Sequence, residues 1–327
     1  MSTRVLVALP VVHEHLHAAL DRLRAAGCEV VFNTNGRTFS EDQLAAALQG
    51  VAATIAGTEP YTERVLAGAV DLRVIARSGV GYDAIDLVAA TRHHVAVAMG
   101  FGTNHNAVAD YAFSFMAALA SKLVPYHQLV MAGGWQRSAH MPLWGATTGI
   151  IGLGRIGRAL AQRCKGFEMR VLAYEIQPDP AHARQHGIEL VDLDTLFRES
   201  DFISVHAPHS PETDKIVSRE RLALMKPTAF IVNTARGGLV DEAALADALR
   251  DGRIAGAGLD VFEVEPLPAG SPLRDLPNVV LTPHCAGSAI DAIAAMAERC
   301  VENVLAVLDR RDPGADYVLN PAVIGRK

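Results

Sequence analysis

A glycine-rich turn between an apolar run and a helical run constrains this sequence more than any other feature. Gly152, Gly154 and Gly157 directly follow the run TTGII and open a predicted helix at residues 158–164. The first glycine permits a tight turn, the second lets the backbone approach a pyrophosphate, and the third lets helix and strand pack closely. The helix N-terminus supplies N–H groups for phosphates. The spacing predicts a dinucleotide site, although a purely structural glycine turn has the same pattern.

An acidic residue supports the dinucleotide interpretation. Glu175 stands 23 residues after Gly152 (175 − 152 = 23), at the end of the next predicted strand. A carboxylate at this place binds ribose hydroxyls and repels a 2′-phosphate, so it favours NAD over NADP. A solvated glutamate without a ligand is the structural alternative.

Apolar runs alternate with helical patterns through two stretches of the chain. The first stretch has predicted strands at residues 4–9, 29–32, 52–56, 72–76 and 95–98, and helices at residues 13–26, 42–48, 62–67 and 84–93. The second has predicted strands at residues 148–152, 170–174, 202–206, 229–233, 255–260 and 279–282. Alternating strands and helices with short connections predict doubly wound parallel sheets of the α/β class.

A long helical pattern joins the two stretches. It covers residues 107–131, and we expect Pro125 to kink or break it. A final helix begins after Gly287 and runs to about residue 308. We therefore predict two Rossmann-like domains, with a substrate domain at residues 1–103 and 288–327 and an inserted dinucleotide domain at residues 104–287. A junction that the chain crosses twice suits a hinge beside a ligand cleft.

Composition and charge argue against several other classes of protein. The 327 residues carry a formal net charge of −6 and no block of Lys or Arg, so nucleic acid is not an expected partner. No apolar run reaches the roughly 18 residues of a membrane span, and the first residues lack the pattern of a signal peptide. The 4 cysteines form no CxxC pair and are interpreted as reduced thiols of a cytoplasmic protein. The spacing of His, Cys and carboxylates predicts no metal site.

Three polar residues follow predicted strands of the second stretch. Arg236 comes after VNTA, Glu265 after GAGLDVF and His284 after NVVLTP. Because the carboxyl ends of parallel strands face the ligand crevice, we expect these side chains to converge. A histidine transfers protons near neutral pH, a glutamate favours and orients its imidazolium, and an arginine binds a carboxylate and polarises the adjacent carbonyl. Taken singly, each residue also has a structural explanation, so this pattern alone leaves both interpretations open.

Five motifs, in the expected order, resemble those of the D-isomer-specific 2-hydroxyacid dehydrogenases. They are RSGVGYDAID, GIIGLGRIGRALA, HAPHSPETDKIV, VNTARGGLVDEAALADALRDGRIAGAGLDVFEVEPLP and LTPHCAGS, and the similarity extends over nearly the whole chain. The resemblance implies an NAD-dependent oxidoreductase that moves a hydride between nicotinamide and a small 2-oxo or 2-hydroxy carboxylate. Members of that family are commonly homodimers.

The resemblance also implies roles for individual residues. His284 is the expected acid/base, Glu265 its hydrogen-bonded partner, and Arg236 the group that binds and polarises the substrate. Beyond the three glycines, the expected cofactor contacts are at Arg155, Ile156, Glu175, Ala207, Pro208, Thr234 and Asp260. The expected substrate contacts of the first domain are at Gly79, Val80, Gly81 and Asn104.

Comparison with subgroups of that family narrows the choice of substrate. Phosphoglycerate-using relatives have basic residues near the end of the third strand, where residues 56–60 here read AGTEP. Phosphite-oxidising relatives have Lys where Val80 stands, and formate-oxidising relatives have Gln where Glu265 stands. A substrate of the glyoxylate or hydroxypyruvate type is therefore favoured. Phosphoglycerate oxidation and an NAD-sensing binding module of the corepressor type are the alternatives.

Overall fold

Two compact units make up the computed structural model, which describes residues 2–10, 14–79, 81–314 and 316–326. Unit 1 is Met1–Asn104 with Ser288–Lys327, and unit 2 is His105–Gly287. Unit 2 is therefore inserted between the two chain segments that build unit 1. Each unit contains a parallel sheet with helices, which confirms the predicted α/β class and the two Rossmann-like domains.

Unit 1 has a five-stranded parallel sheet in the order β2-β1-β3-β4-β5. Its strands are β1 (Thr3–Val7), β2 (Cys28–Phe32), β3 (Ala53–Ala56), β4 (Val74–Arg77) and β5 (Ala96–Met99). Its helices are α1 (Glu14–Ala25), α2 (Glu41–Ala47), α3 (Glu63–Gly68), α4 (Leu87–Arg92) and α12 (Ile290–Leu308). Each end of the five strands lies within two residues of its predicted position.

Helices cover both faces of the unit 1 sheet. On one face α12 packs with α1, and their apolar side chains, such as Leu20 and Val301, form one core with the strands. On the other face α2, α3 and α4 close a second core around side chains such as Leu44. α2 begins at a capping box, in which the side chains of Ser40 and Gln43 each accept the backbone N–H of the other residue. This reciprocal cap gives hydrogen-bond acceptors to two backbone N–H groups that have no partner within the helix.

Unit 2 has a seven-stranded parallel sheet in the order β12-β11-β10-β9-β6-β7-β8. Its strands are β6 (Thr147–Ile151), β7 (Arg170–Tyr174), β8 (Glu189–Leu190), β9 (Phe202–Val205), β10 (Phe230–Asn233), β11 (Gly256–Leu259) and β12 (Val279–Leu281). Its helices are α5 (His105–Ala120), α6 (Leu123–Met131), α7 (Arg155–Gly166), α8 (Pro180–Gln185), α9 (Leu193–Glu199), α10 (Arg219–Leu222) and α11 (Glu242–Arg250). The short edge strand β8 is an addition to the six predicted strands.

The long predicted helix is two helices, α5 and α6, bent by 59°. The break lies at Lys122, whose φ of 55° is left-handed, and so comes before Pro125. Pro125 stands in the first turn of α6, where a missing N–H costs no helical hydrogen bond. No single helix of the described residues is long and apolar enough to cross a membrane; the bent pair passes that test by length and composition only. Half of the α5 side chains are buried, and most of these, such as Phe115 and Met116, belong to the unit 2 core.

Candidate active site

The dinucleotide turn lies at the topological switch of the unit 2 sheet. β6 has β7 and β8 on one side and β9 to β12 on the other, so the chain changes direction across the sheet between β6 and β9. Open α/β sheets bind ligands at the carboxyl ends of strands at such a point. Gly152 follows β6 with a φ of 95°, and a Cβ there would lie 2.6 Å from the backbone nitrogen of Ala207, after β9. Only glycine fits this position.

Gly157 and Gly154 meet two different needs of the same turn. A Cβ on Gly157 would lie 2.1 Å from the carbonyl oxygen of Gly152, so glycine lets α7 pack against the turn. Gly154 is the N-cap of α7 and makes no side-chain cap, and beyond its chain neighbours no described atom lies within 4 Å of its Cβ position. The N–H groups of the first turn therefore remain for an anion, as a pyrophosphate site requires.

Glu175 lies beside this turn, directly after β7. Its Oε2 accepts the backbone N–H of Leu153 at 2.7 Å, and its Oε1 accepts that of Gln177 at 3.2 Å. The first hydrogen bond holds a carboxylate against the residue between the first two glycines. A negative charge fixed at this place suits ribose hydroxyls and opposes a 2′-phosphate.

The remaining predicted cofactor residues lie along the same strand ends. Arg155 and Ile156 form the first turn of α7, and Pro208 follows Ala207. Thr234 follows β10, is buried, and its Oγ1 has no hydrogen-bond partner among the described residues. A buried hydroxyl without a partner is a group that a ligand can satisfy. Contacts of these residues with a cofactor stay predictions.

Two of the predicted catalytic side chains are joined by a hydrogen bond. Nδ1 of His284 lies 2.7 Å from Oε2 of Glu265, whose Oε1 accepts the backbone N–H of Phe262 at 3.0 Å. Burial opposes ionisation of Glu265, but the hydrogen bonds from His284 and Phe262 and the charges of His284 and Arg236 outweigh it, so the pKa of the carboxyl lies below its usual value. An ionised partner at Nδ1 orients the ring and leaves Nε2 for a substrate.

Asp260 holds the loop that carries His284. Its carboxylate, 1% exposed, accepts the Thr282 hydroxyl at 2.5 Å and the backbone N–H groups of Cys285 and Ala286 at 2.9 and 2.8 Å. Its carbonyl oxygen accepts the N–H of His284 at 2.8 Å. These bonds support His284 in its left-handed conformation, with a φ of 54°. The sequence assigned Asp260 to the cofactor and missed this structural role.

Arg236 follows β10 in a loop packed against the loop of Glu265. Its carbonyl oxygen accepts the side-chain amide of Asn233 at 2.8 Å, and its Nη1 donates to the carbonyl of Ala235 at 2.6 Å. A Cβ on Gly237 would lie 1.8 Å from the carbonyl carbon of Phe262, so glycine allows the two loops to touch through their backbones. Asn233 and Gly237 belong to the NTARGG motif, and sequence reasoning did not assign them a role.

The predicted substrate contacts of the first domain belong to unit 1. Gly79 follows β4, with a φ of 153° that L side chains rarely adopt. Gly81 is described, Val80 lies outside the described residues, and Asn104 is the last residue before unit 2 begins. Arg236, Glu265 and His284 belong to unit 2. In the described part of the chain, no group of three or more His, Cys, Asp or Glu could hold a metal ion.

The unit 2 geometry matches the needs of carbonyl reduction by a dinucleotide. The sheet that carries the dinucleotide turn also carries the three polar groups. A histidine that can move a proton follows β12, the carboxylate that orients this histidine follows β11, and an arginine follows β10. Fold and site together define a nicotinamide-dependent oxidoreductase.

Comparisons with known proteins identify the family. Residues 113–286 match the model of the D-isomer specific 2-hydroxyacid dehydrogenase, NAD binding domain. The chain is 42% identical over 255 residues to a glyoxylate reductase of Korarchaeum cryptofilum, covering 76% of this chain and 77% of that protein. The chain therefore belongs to the D-isomer specific 2-hydroxyacid dehydrogenase family. This confirms the predicted family, the class of NAD-dependent oxidoreductases acting on CH–OH groups, and NAD as cofactor.

Two further relatives support the same assignment. A D-3-phosphoglycerate dehydrogenase of Archaeoglobus fulgidus is 40% identical over 292 residues, which cover 88% of this chain and 54% of that protein. This chain thus spans about half the length of that relative. The crystal structure of the TT0316 protein from Thermus thermophilus superposes with a TM-score of 0.89 at 37% identity, over 97% of this chain and 100% of that one.

Proposed function

We propose that the protein reduces a small 2-oxo acid of the glyoxylate or hydroxypyruvate type with NADH. The observation that carries this proposal is the hydrogen-bonded pair of His284 and Glu265, which follow β12 and β11, with Arg236 after the adjoining β10. When bound, the nicotinamide supplies a hydride to the carbonyl carbon. The glyoxylate reductase named above supports this type of substrate.

Each member of the catalytic set has a distinct role in this proposal. His284, protonated, donates a proton from Nε2 to the carbonyl oxygen, and neutral His284 takes it back in the oxidation of the alcohol. Glu265 stays ionised and stabilises the imidazolium through Nδ1. Arg236 binds the substrate carboxylate and polarises the neighbouring carbonyl. Holding the reacting groups in place contributes much of the rate.

The predicted contacts of unit 1 complete this assignment. The turn of Gly79, Val80 and Gly81 receives the substrate carboxylate, and Asn104 stands near the substrate. The N–H of Gly79 itself donates to the carbonyl of Arg77 at 2.9 Å, so the carboxylate takes the N–H groups that follow it in the turn. A glycine turn suits an anion because its backbone N–H groups are not shielded by side chains. The left-handed φ of Gly79 supports a turn of this kind.

The residues of unit 2 fit NAD in particular. The turn of Gly152, Gly154 and Gly157 has the open side and the uncapped helix end that a pyrophosphate needs. Arg155, Ile156, Ala207 and Pro208 border it, Glu175 binds the adenosine ribose, and Thr234 and Asp260 lie on the nicotinamide side. The Glu175 carboxylate disfavours NADP.

Phosphoglycerate is the second candidate substrate, because curated relatives at about 40% identity bear that name. Residues 56–60 oppose it, since AGTEP carries a negative and no positive side chain at the end of β3. A phosphate group is best bound by Arg or Lys, so this strand end suits an uncharged substituent better.

We further propose that the protein is a cytoplasmic homodimer. α6 has no buried residue, and together with the segment that follows it exposes large apolar side chains at Leu123, Val130, Met131, Trp135 and Trp144. Exposed apolar side chains this close along one segment are typical of a protein–protein interface. A second copy of the chain would cover them.

The test measures the rate at which NADH or NADPH absorbance is lost when the purified protein is given each of five acids: glyoxylate, hydroxypyruvate, pyruvate, phenylpyruvate and phosphohydroxypyruvate. We expect turnover with NADH, led by glyoxylate or hydroxypyruvate. The His284→Ala variant should lose about 100-fold or more in kcat, whereas the exposed His17→Ala on α1 should keep full activity. A lead for phosphohydroxypyruvate would favour the second candidate. Binding of NADH without turnover of any acid would favour the corepressor-type module.

A further inference from the structure

Unit 1 has a topological switch of its own, with a buried acid at its edge. β1 lies between β2 and β3, so the chain changes direction across the sheet between β1 and β3, where an α/β sheet offers a ligand crevice. Glu59 follows β3 at this edge and is 0% exposed. Its Oε2 accepts the N–H of Gly57 at 2.8 Å, and its Oε1 has no hydrogen-bond partner among the described residues. A buried carboxylate with an unsatisfied oxygen is costly, so a function is the natural explanation.

An arginine from the next strand reaches the same edge. Arg77 ends β4, and a Cβ on Gly79 would lie 2.5 Å from its Nη1, so the guanidinium lies directly against the glycine turn. The backbone N–H of Ser78 donates to the carbonyl of Ala56 at 2.8 Å, which ties the Arg77 loop to the Glu59 loop. The turn proposed to bind the substrate carboxylate therefore has a guanidinium against it, and the residue before the turn is hydrogen-bonded to the start of the loop that carries Glu59.

Among the groups of this cluster, Glu59 is the one that changes charge near neutral pH. Burial raises its pKa to about 7, against the opposing effects of its backbone hydrogen bonds and of the Arg77 charge. Burial also raises the pKa of Tyr61 far above its usual value and that of Cys300, on α12, to about 12. Both of these groups stay neutral, so Glu59 is neutral well below pH 7 and negative well above it, and Arg77 stays positive.

We propose that Glu59 is a specificity-determining residue, which offsets the charge of Arg77 beneath the glycine turn and selects 2-oxo acids without a second negative charge. With Glu59 ionised, its charge and that of Arg77 offset each other, so the turn binds one substrate carboxylate, and the buried Glu59 carboxylate repels a distal anion through space. With Glu59 protonated, this carboxylate no longer offsets the charge of Arg77, and a distal anion is tolerated. Charges in a buried region act over several ångströms with more energy than in water. This inference rests on the proposed function.

The test compares two four-carbon acids that differ in a distal charge, oxaloacetate and 2-oxobutyrate. The readout is the ratio of their kcat/KM values, or of their inhibition constants against hydroxypyruvate where turnover is slow. We expect Glu59→Gln to raise the oxaloacetate preference about tenfold, mainly through KM, because one buried negative charge is lost. Glu59→Asp keeps the charge and should retain most of the original preference. Glu63→Gln, a half-exposed change on α3, should leave the ratio unaltered.

A pH series on the unchanged enzyme tests the inference even if the Glu59 variants do not fold. The oxaloacetate preference should fall about tenfold between pH 6 and pH 8 as Glu59 ionises, and this dependence should vanish in Glu59→Gln. A ratio that is constant with pH, or that stays within about twofold in a folded Glu59→Gln, overturns the role of Glu59 and leaves the proposed function standing. Absence of turnover of every 2-oxo acid overturns both.

Discussion

The buried carboxylate of Asp260 accepts the backbone N–H of Cys285, at 2.9 Å, one residue beyond His284. Two further donors, Ala286 and Thr282, bind the same carboxylate. The loop that presents the histidine therefore depends on an acid that binds two of its backbone N–H groups and one of its hydroxyls.

Asp260→Ala should impair both stability and catalysis. Three donors lose their acceptor in a buried place, so we expect about 2–4 kcal/mol less free energy of unfolding. We also expect kcat to fall about tenfold or more, because His284 is no longer held in position. Urea denaturation and steady-state kinetics check the two effects. Thr282→Val removes one of the three bonds and should show a clearly smaller loss; an equal loss would contradict this account.

Glu265→Gln should change the pH dependence of reduction. The pKa of Glu265 lies below its usual value, so its negative charge is present throughout the neutral range and is lost only as the pH falls through that depressed pKa. Without this charge the imidazolium of His284 is less favoured. The acid limb of the kcat/KM profile, where Glu265 takes up a proton, should be absent in this variant. An unchanged profile with uniformly lower rates would point to lost orientation alone.

Gly157→Ala and Gly154→Ala should separate folding from cofactor binding. A Cβ on Gly157 meets the Gly152 carbonyl at 2.1 Å, so we expect a loss of about 1–3 kcal/mol in unfolding free energy. The Cβ position of Gly154 is open, and its φ of −72° suits alanine. That variant should keep its thermal stability but bind NADH about tenfold more weakly. Calorimetry of unfolding and NADH fluorescence titration would decide; unaltered NADH affinity in Gly154→Ala would contradict the site.

Glu175→Gln should relax the choice between NADH and NADPH. The amide keeps the size of the side chain and removes the charge that opposes a 2′-phosphate. We expect the ratio of kcat/KM for NADPH to that for NADH to rise about tenfold. Glu189→Gln, an exposed change on β8, is the matched control. An equal rise of the ratio in both variants would mean that the net charge of the protein causes the change, and would contradict the role of Glu175.

Met131→Glu should weaken the proposed dimer. Met131 is 75% exposed on α6, and a buried charge in an interface between copies is costly. Sedimentation velocity should show a shift from dimer to monomer at micromolar concentration. Val88→Glu places the same charge at a 70% exposed site on α4 and should leave the mass unchanged. A monomeric unmodified protein would refute the proposal directly.

The strand ends and the glycine turn could be predicted from sequence because local rules govern them. The spacing of Gly152, Gly154 and Gly157 reflects steric limits within one βα unit, so the pattern carries its own geometry. Apolar runs of parallel strands are equally local, and the polar residues directly after them, such as His284, necessarily lie at one edge of the sheet.

The supports of the site could not be predicted in the same way. Asp260 and Thr282 are 22 residues apart and meet only because β11 and β12 are neighbours in the sheet. The approach of Arg77 to the loop that carries Glu59 has the same origin, because Ala56 of β3 and Arg77 of β4 are neighbours in the sheet. The helix break depends on the left-handed Lys122, a conformation without a sequence signature, whereas Pro125 suggested a later position.

The insertion of unit 2 sets an order of events at the ribosome. The sheet of unit 1 is synthesised within the first hundred residues, but α12, whose Met296, Cys300, Val301 and Val304 fill one of its cores, emerges only after all of unit 2. Domains generally fold as units while the chain is being made. Unit 2 can therefore complete its own sheet first, while one apolar face of the earlier strands is covered by α1 alone. A nascent chain stalled before residue 288 would present that face to chaperones and proteases.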